Sequence, residues 1–385
     1  MKILYVIGGA KKAYGSERVA MDILKGITYG SEDDIEFIVV TANYGPINEL
    51  CKKHQIENYS LPFDFYVYKK EHNYFFDYIK RRLRLTLAVV KDFFAIKRIE
   101  NVIDMNSIDL IHSNLSRTML GARLAQKYNI PHIWHLQELL TGHYGLDLLM
   151  KNQIAWMNNH CNRFIAVSDA VKNSWIKGGI NKNRIIRIYN GVNVIDINER
   201  KDFDNDKRIE IVMVGEICEA KGQHILLEAL ARLQNNARYF RVNFIGDGKK
   251  AYIEKIKNLI ENYRLDVVFH GFIKHEDLNL TRYDIGVVCS KGEGFGLSTL
   301  EYMSAGLCVL ATASGANSEL ISNGKIGFLF NRNNIDEFLK KLGFLFCRPH
   351  IIRKYGYAAR DYVIKNFDLK KQLLAIESVY NQQCR

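Results

Sequence analysis

Short apolar runs alternate with amphipathic stretches along the whole chain of 385 residues. The runs are rich in β-branched residues and lack a helical period, which is typical of strands buried on both faces of a parallel sheet. Their alternation with helical stretches predicts an α/β fold with helices on both faces of each sheet. The runs form two series, 3–7, 35–40, 110–112, 132–135 and 164–167, then 211–214, 242–245, 267–270, 285–289 and 309–311.

A polar, charge-rich stretch at 196–208 separates the two series and predicts an interdomain linker. The chain is long enough to form two cores. We therefore expect two doubly wound, Rossmann-like domains, at 1–195 and 209–365, that face each other across a cleft. Ligands of such sheets bind at the carboxyl ends of the strands, so the loops there are the first place to search for function.

The charge of the protein restricts its partners. The net charge is +12 and the isoelectric point is about 9.2. Residues 51–100 hold 11 Lys/Arg against 6 Asp/Glu, and residues 151–190 hold 7 against 1. Such basic regions favour nucleic acid, anionic lipid or phosphorylated ligands. No nucleic-acid-binding module is visible, so we expect no nucleic acid partner and favour the other two classes.

The seven cysteines are scattered, odd in number and never in C-x-x-C spacing. This pattern predicts reduced thiols of a cytoplasmic protein, without a disulfide framework or a zinc site. The apolar stretch at the N-terminus is shorter than a signal peptide requires, and no run approaches the ~18 apolar residues of a membrane span.

The segment Lys291-Gly-Glu-Gly-Phe-Gly-Leu-Ser-Thr-Leu-Glu301 follows the predicted strand at 285–289. Its glycines predict a turn, and Ser298 with Glu301 has the S-x-x-E spacing of a helix start. Backbone N–H groups and the helix dipole favour phosphate at such a turn. The carboxylates of Glu293 and Glu301 suit the hydroxyls of a polyhydroxylated ligand. Alternatively, Glu301 only completes a capping box and Glu293 is a solvated loop residue.

The longer segment from Glu293 through Glu301 and the pair Ala305-Gly306 to the ending Gly315-Ala-Asn-Ser-Glu-Leu-Ile resembles the signature of the retaining glycosyltransferases of family 4, which have the GT-B fold. The resemblance implies that Glu301 accepts hydrogen bonds from the ribose and that Glu293 binds the donor sugar. It also implies a donor-binding turn, which consists of Gly294, Phe295, Gly296 and Leu297. The nucleotide base is expected against the backbone of Gly271 and Phe272.

A second loop, between a predicted strand and a helix at 223–233, reads Gly215-Glu-Ile-Cys-Glu-Ala-Lys-Gly222. A lysine in such a loop can reach a diphosphate, although it can also be simply solvated. Family 4 enzymes carry a similar Gly-Arg-x-x-x-x-Lys-Gly stretch, in which the arginine and the lysine clamp the diphosphate. Lys221 matches this pattern, whereas Glu216 stands at the arginine position. Either Glu216 turns away, or another cation compensates, Arg18 and Arg117 being the candidates, or donor binding is weakened.

The first half of the chain is expected to bind the acceptor. A glycine loop follows the first strand, and a helix is expected to open at Ser16. The loop lacks the G-x-G-x-x-G of a dinucleotide site. The resemblance implies instead that Gly15 and Ser16 lie near the diphosphate. It also matches His135, at a strand end, with a histidine that contacts the transferred sugar, although a structural role is the alternative. His112 is interpreted as structural.

A basic helix is expected at 80–98, where Lys80, Arg81, Arg82 and Arg84 lie beside an apolar face. It is either a core-packed helix with solvated cations or a membrane-surface or lipid-acceptor patch. The resemblance also implies that the last helix, in 366–385, crosses back to the first domain. Asp202-Phe-Asp204 looks like the metal-binding D-x-D of another glycosyltransferase fold. It lies in the linker, so we expect no metal and no other cofactor.

Together these features predict a retaining, metal-independent glycosyltransferase. It would move a hexose from a UDP- or GDP-linked donor to a hydroxyl of a glycan or lipid-linked acceptor. The expected setting is surface polysaccharide assembly (lipopolysaccharide, O-antigen or capsule), with the protein peripheral on the inner face of a bacterial inner membrane. The alternatives are a nucleotide-sugar epimerase of the same fold and a non-catalytic nucleotide-sugar-binding subunit.

Overall fold

The computed structural model describes residues 1–9, 15–31, 34–69, 74–140, 146–194, 197 and 208–384. They form two compact units, of which one joins Met1–Asn190 to Leu369–Arg385 and the other is Gly191–Asp368. Of the linker expected at 196–208, only 197 and 208 are among the described residues.

The first unit contains a seven-stranded sheet in the order β3-β2-β1-β5-β6-β8-β9, and all its strand pairs are parallel. Its strands are β1 (Lys2–Ile7), β2 (Glu36–Thr41), β3 (Glu57–Ser60), β5 (Leu110–Asn114), β6 (His132–Leu136), β8 (Arg163–Ala166) and β9 (Ile185–Arg187). A separate antiparallel pair consists of β4 (Val67–Lys69) and β7 (Leu146–Leu148). The five strands predicted from apolar runs are all present. The additional β3 and β9 are short edge strands. The residues of β3 are mostly polar, and the apolar run of β9 is only two residues long, so neither carries a clear strand signal.

Seven helices of the first unit fall within the described residues. They are α1 (Gly15–Gly30), α2 (Pro46–Lys53), α3 (Tyr74–Glu100), α4 (Leu120–Tyr128), α5 (Gln153–Asn159), α6 (Asp169–Lys177) and α13 (Leu369–Gln383). The last helix packs against α1, where a Cβ at Gly26 would lie 2.3 Å from Leu373 Cδ1. Gln372 Nε2 donates a hydrogen bond of 3.0 Å to Asn190 Oδ1 in the buried interior. The end of the chain is thus part of the first unit.

The second unit contains a six-stranded parallel sheet in the order β12-β11-β10-β13-β14-β15. Its strands are β10 (Ile209–Val214), β11 (Phe240–Ile245), β12 (Val267–Gly271), β13 (Ile285–Val288), β14 (Cys308–Thr312) and β15 (Phe328–Phe330). Its helices are α7 (Gln223–Ala231), α8 (Lys250–Tyr263), α9 (Leu297–Ser304), α10 (Asn317–Leu320), α11 (Ile335–Phe346) and α12 (His350–Asn366).

The strand order of each sheet reverses direction at one point. In the first sheet the reversal lies between β1 and β5, and in the second it lies between β10 and β13. Neighbouring loops leave in opposite directions at such a point, which opens a crevice at the carboxyl ends of the two strands. The fold therefore marks one place in each unit where a ligand site is expected. Within the described residues, no helix is long and apolar enough to cross a membrane.

Candidate active site

Two loops meet at the switch point of the second sheet. The first follows β10 and ends at Gly222, before α7, and the second follows β13 and leads into α9. A small pocket is lined by Lys221 and Glu293 from these loops and by Ser298 at the start of α9. Because β10 and β13 are paired in parallel, their carboxyl ends lie side by side although the loops are far apart in sequence.

Lys221 and Glu293 contact each other in this pocket. The Lys221 ammonium donates a hydrogen bond of 2.7 Å to Glu293 Oε1. The side chains are only 22% and 13% exposed, respectively. Partial burial strengthens a charge-assisted hydrogen bond because water screens it less. The fold thus brings together the two residues that the sequence assigns to the diphosphate and to the donor sugar.

The backbone of Glu293 is held by the loop after β14. Gly315 has φ of +56°, and a Cβ at this position would lie 2.1 Å from the Glu293 carbonyl oxygen. The N–H of Ala316 donates a hydrogen bond of 3.0 Å to that carbonyl. Position 315 therefore requires glycine for its backbone conformation and for this close approach.

The loop of Lys221 is held in a similar way. Gly222 has φ of +73°, and a Cβ there would lie 2.5 Å from the carbonyl oxygen of Cys289. Arg332 links the loops that follow β10 and β13. Its Nε donates a hydrogen bond of 3.0 Å to the Cys289 carbonyl, and its Nη2 donates one of 2.9 Å to the Glu219 carbonyl. Sequence reasoning missed Arg332, and nothing in the spacing around it indicates this role.

The start of α9 differs from the prediction. Gly296 is the N-cap residue with φ of +88°, and no side chain caps the helix. The predicted capping box of Ser298 and Glu301 is therefore wrong, because a left-handed glycine starts the helix two residues earlier. Ser298 Oγ instead donates a hydrogen bond of 3.4 Å to the Val214 carbonyl, and Thr299 Oγ1 donates one of 2.8 Å to Asn317 Oδ1.

Glu301 lies on the first turns of α9 and is only 3% exposed. Its Oε1 lies 3.2 Å from Nε2 of His275, a half-exposed residue after β12. A buried carboxylate needs partners because its removal from water is costly. Glu301 is thus neither a capping residue nor a solvated surface acid.

The region expected to hold the base follows β11 and β12. Gly271 ends β12 with φ of +68°, and its carbonyl accepts a 2.7 Å hydrogen bond from the N–H of Gly246. A Cβ at Gly271 would meet no atom within 4 Å, so the backbone conformation, rather than lack of space, favours glycine. Phe272 is 41% exposed. The pair is accessible to a ligand, and its role in base binding stays a prediction.

Glu216, at the position of the family's arginine, is partly exposed, and its carbonyl accepts 3.0 Å from Gln223 Nε2. In the first unit, Nε of Arg117 lies 3.7 Å from Oε1 of Glu138. Compensation of Glu216 by Arg18 or Arg117 stays a prediction. Asp202 and Asp204 lie outside the described residues.

At the switch point of the first sheet, α1 begins with Gly15 and Ser16. Nδ2 of Asn114, the last residue of β5, donates a hydrogen bond of 3.2 Å to the Ser16 carbonyl. The Ser16 hydroxyl donates one of 3.0 Å to Glu17 Oε2. The loop residues 10–14 lie outside the described residues. Gly15 and Ser16 are therefore next to the carboxyl end of β5, where the resemblance places ligand contacts.

Polar residues after β5 and β6 extend this edge. Gln137 Nε2 donates to Asn114 Oδ1. Glu138 Oε1 accepts 3.1 Å from the N–H of Ser116 and also accepts from the Ser116 hydroxyl. Sequence reasoning did not assign these four residues to the site. Their positions directly after two predicted strands were the signal that could have found them.

His135 lies in the interior of the first unit. It is fully buried, and burial lowers its pKa to about 3, so the imidazole is neutral. Neither ring nitrogen has a hydrogen-bond partner among the residues that the structure describes. Its ring centroid lies 5.4 Å from that of His112, whose Nδ1 lies 2.6 Å from the Tyr380 hydroxyl oxygen. His112 is fully buried, and its structural interpretation stays a prediction. The contact of His135 with the transferred sugar stays a prediction, and in this conformation its ring is enclosed.

The four cations of the predicted basic cluster on α3 differ in their contacts. Arg81 Nε donates 2.8 Å to the Leu149 carbonyl, and Arg84 Nε donates 3.0 Å to the Val67 carbonyl. Lys80, Arg82 and Arg84 are exposed, and Arg81 is partly buried. Two of the four cations therefore also bind α3 to the rest of the unit, and the role of the patch at a membrane or acceptor stays a prediction.

Comparisons with known proteins agree with this architecture. The family model described as Glycosyltransferase Family 4 matches residues 15–195, and the one described as Glycosyl transferases group 1 matches residues 194–362. An uncharacterised glycosyltransferase of Methanocaldococcus jannaschii is 29% identical over 294 residues, which are 74% of this chain and 78% of that protein. The lipopolysaccharide core biosynthesis mannosyltransferase LpcC of Rhizobium leguminosarum is 30% identical over 115 residues, 30% of this chain and 33% of that protein.

Among solved structures, Anabaena HepE in complex with UDP-glucose is similar to the chain with a TM-score of 0.77 and 21% identity. The similarity covers 99% of this chain and 100% of HepE. At this identity it establishes the fold alone, and it confirms the predicted GT-B architecture of two Rossmann-like parallel sheets. Since the two family models together span most of the chain, the protein is a family 4-like glycosyltransferase of the GT-B fold.

Proposed function

We propose that this protein is a retaining, metal-independent hexosyltransferase. It moves a hexose from a UDP- or GDP-linked donor to a hydroxyl of a glycan or lipid-linked acceptor. The observation that carries the proposal is the pairing of Lys221 with Glu293 at the switch point of the second sheet. There, an ammonium that can pair with the diphosphate and a carboxylate that can accept hydrogen bonds from sugar hydroxyls line one small pocket.

The charge of the donor has several candidate partners at this point. Lys221 is a mobile point charge, and the turn from Gly294 to Gly296 leads into the N-terminus of α9. Preorganised donors of this kind stabilise the negative charge that develops on a leaving diphosphate. In the reaction, the bond between the anomeric carbon and the phosphate oxygen breaks while the bond to the acceptor oxygen forms on the same face. The acceptor proton passes to the departing phosphate oxygen, so no protein base is required.

The recognition of the nucleotide sugar is assigned to two carboxylates. Glu293 accepts hydrogen bonds from hydroxyls of the hexose, and Glu301 accepts them from the ribose. Support for a nucleotide-sugar donor comes from HepE, which was solved with UDP-glucose and shares the fold. The burial of Glu301 beside His275 suits a residue that a ligand hydroxyl reaches at one edge.

The proposed setting is the cytoplasmic side of a bacterial inner membrane, in surface polysaccharide synthesis. LpcC, which matches part of the chain, is named for lipopolysaccharide core synthesis. The basic excess of residues 51–100 and 151–190 supports a lipid-linked acceptor at an anionic surface.

The proposal is tested by incubating the purified protein with a panel of radiolabelled UDP- and GDP-hexoses, with and without bacterial membrane lipid. Transfer of label to lipid supports it. Conversion of the donor to an epimer without an acceptor identifies an epimerase instead. Binding of the donor, seen as a raised melting temperature, without any turnover identifies a non-catalytic subunit, for which Glu216 is the favouring observation.

A further inference from the structure

Helix α3 buries two aspartates while most of its large apolar side chains stay exposed. Asp77 and Asp92 are 8% and 1% exposed, and the other buried residues of the helix, within the part that the structure describes, are Ala88, Ala95 and Ile99. An ordinary surface helix buries its apolar stripe and exposes its charges. Helix α3 departs from this arrangement, because it buries two carboxylates and exposes several large apolar side chains.

The inward face is held by specific polar contacts. Asp92 Oδ2 accepts 2.7 Å from the Tyr66 hydroxyl and lies 3.2 Å from Arg123 Nε. Asp77 Oδ2 accepts 3.1 Å from the Tyr68 hydroxyl. These bonds orient the helix, because a buried carboxylate that lost them would be left unsatisfied, which costs free energy. The outward face of α3 is therefore set by the fold.

The outward face carries a continuous apolar stripe. Its members recur at intervals of three, four or seven residues, as one helix face requires. They are between 45% and 65% exposed: Phe76, Leu83, Leu87, Val90 and Phe94. Phe93, beside the stripe, is 52% exposed. Scattered exposed apolar residues are ordinary, whereas a contiguous apolar surface marks a contact with a partner or a membrane.

The charges around the stripe select between these partners. Six exposed cations of the helix flank it: Lys80, Arg82, Arg84, Lys91, Lys97 and Arg98. Asp64 faces two of them, since it lies 3.0 Å from Lys91 Nζ and 3.9 Å from Arg84 Nη2. Of the acids of α3, Asp77 and Asp92 are buried and Glu100 pairs with Lys127. A helix with an apolar stripe between rows of Lys and Arg suits the interface of an anionic bilayer, where apolar groups reach acyl chains and cations meet headgroup phosphates.

We propose that α3 is a membrane-surface helix that lies in the plane of an anionic lipid bilayer and inserts this stripe. The inference rests on the proposed function for its purpose, since a lipid-linked acceptor is presented at such a surface. It extends the predicted patch of four cations, of which Lys80, Arg82 and Arg84 are exposed, to an apolar stripe that these cations flank. The apolar stripe supplies salt-resistant binding, and the exposed cations supply a part that weakens with salt.

The test is sedimentation of the full chain with vesicles of phosphatidylglycerol and phosphatidylcholine, or of phosphatidylcholine alone, at low and high salt. A stripe variant carries Leu83→Ser, Leu87→Ser and Phe94→Ser. Its control carries serine at the exposed Val102, Val194 and Leu374. A cation variant carries Lys80→Gln, Arg82→Gln, Lys97→Gln and Arg98→Gln, and its control carries glutamine at four exposed lysines of the second unit, 250, 325, 340 and 354.

We expect the wild type to bind phosphatidylglycerol vesicles and the stripe variant to lose at least tenfold in affinity at both salt concentrations. The cation variant is expected to lose affinity mainly at low salt, and both controls should bind as the wild type does. Wild-type binding by the stripe variant would overturn the proposal. So would a change of the stripe variant from dimer to monomer in light scattering with unchanged vesicle binding, since a second copy would then cover α3.

Calorimetry with UDP-glucose and GDP-mannose separates this inference from the proposed function. If the stripe variant loses the vesicles but binds a nucleotide sugar as the wild type does, both stand. If the wild type binds vesicles through the stripe but binds and turns over no nucleotide sugar, the proposed function fails and the membrane helix stands. Donor turnover with no effect of the stripe on vesicle binding overturns only the membrane helix.

Discussion

Lys221 Nζ and Glu293 Oε1 lie 2.7 Å apart, although 72 residues separate them in the chain. Each charge is partly neutralised by the other, and the two loops that carry them are thereby coupled. A donor that takes a hydrogen bond from Lys221 through its diphosphate competes with Glu293 for the same ammonium. A substitution at either residue therefore changes the environment of the other.

Glu293→Gln should reduce transfer by one to two decades while the fold stays intact. The amide loses a charge-assisted hydrogen bond to a sugar hydroxyl, which is worth about 1.5–3 kcal/mol, and also leaves Lys221 without its carboxylate. Initial rates with a radiolabelled donor measure the effect. Glu254→Gln, on the exposed surface of α8, is the matched control. Wild-type turnover by the Glu293 variant would refute the assignment.

Lys221→Ala should raise the dissociation constant of the donor and lower turnover together, because the lysine is the matched cation of its loop. Isothermal calorimetry with nucleotide sugars measures the first effect. The double variant with Glu293→Gln should show less than the sum of the two single effects, since both remove the same pair. Glu216→Arg should tighten binding if its side chain reaches the diphosphate. If neither Lys221→Ala nor Glu216→Arg changes the dissociation constant of the donor, the diphosphate lies elsewhere.

Arg332→Gln should weaken both donor binding and turnover although the residue is assigned no contact with the donor. It removes hydrogen bonds to the carbonyls of Cys289 and Glu219 that hold the two loops together. The loss of one bond from a charged donor is worth about 1.5 kcal/mol, or roughly tenfold. Arg332→Lys should rescue part of it, because lysine can reach one carbonyl. An unchanged kcat and KM in the glutamine variant contradicts the positioning role, and Arg232→Gln is the exposed control.

Transfer should persist in excess EDTA, because Lys221 and backbone donors are proposed to meet the charge of the diphosphate. The measurement is the initial rate before and after chelation, with dialysed protein. Full loss of activity that Mg²⁺ or Mn²⁺ restores contradicts the metal-independent mechanism.

The first unit should lose stability below about pH 6.5, the ordinary pKa of histidine in the unfolded chain. Burial lowers the pKa of His132 to about 4, that of His135 to about 3, and that of His112 well below its usual value. The unfolded state therefore binds protons first. The stability is present above pH 6.5 and is lost as pH falls, by about 1.4 kcal/mol per pH unit for each histidine.

Asp92 opposes this trend, because burial raises its pKa to about 6 and the native state takes up its proton first on acidification. Because three histidines lower the free energy of unfolding and only Asp92 raises it, we expect a net decrease as the pH falls. Urea unfolding between pH 7.5 and 5.0, followed by tryptophan fluorescence, measures the effect in the first unit alone. All three tryptophans, at 134, 156 and 175, belong to that unit. A free energy of unfolding that stays constant over this range would contradict the neutral buried histidines.

Much of the secondary structure was determined by the sequence alone. Runs such as Ile3–Ile7 and Ile285–Val288 become strands because β-branched residues buried on both faces leave few other conformations. The glycine turn that carries Glu293 was visible for the same local reason. The start of α9 was not, since the left-handed conformation of Gly296 overrides the spacing of Ser298 and Glu301.

Only the tertiary structure decided which distant residues meet. Lys221 reaches Glu293 because β10 and β13 are neighbours in the sheet, and that order is a property of the whole fold. For a similar reason, the sequence alone did not determine which face of α3 is buried. Its sequence offers an apolar face and a face with two aspartates, and the hydroxyls of Tyr66 and Tyr68 select the second for burial. Local sequence encodes conformational preference, whereas these choices depend on hydrogen bonds between segments that meet only after folding.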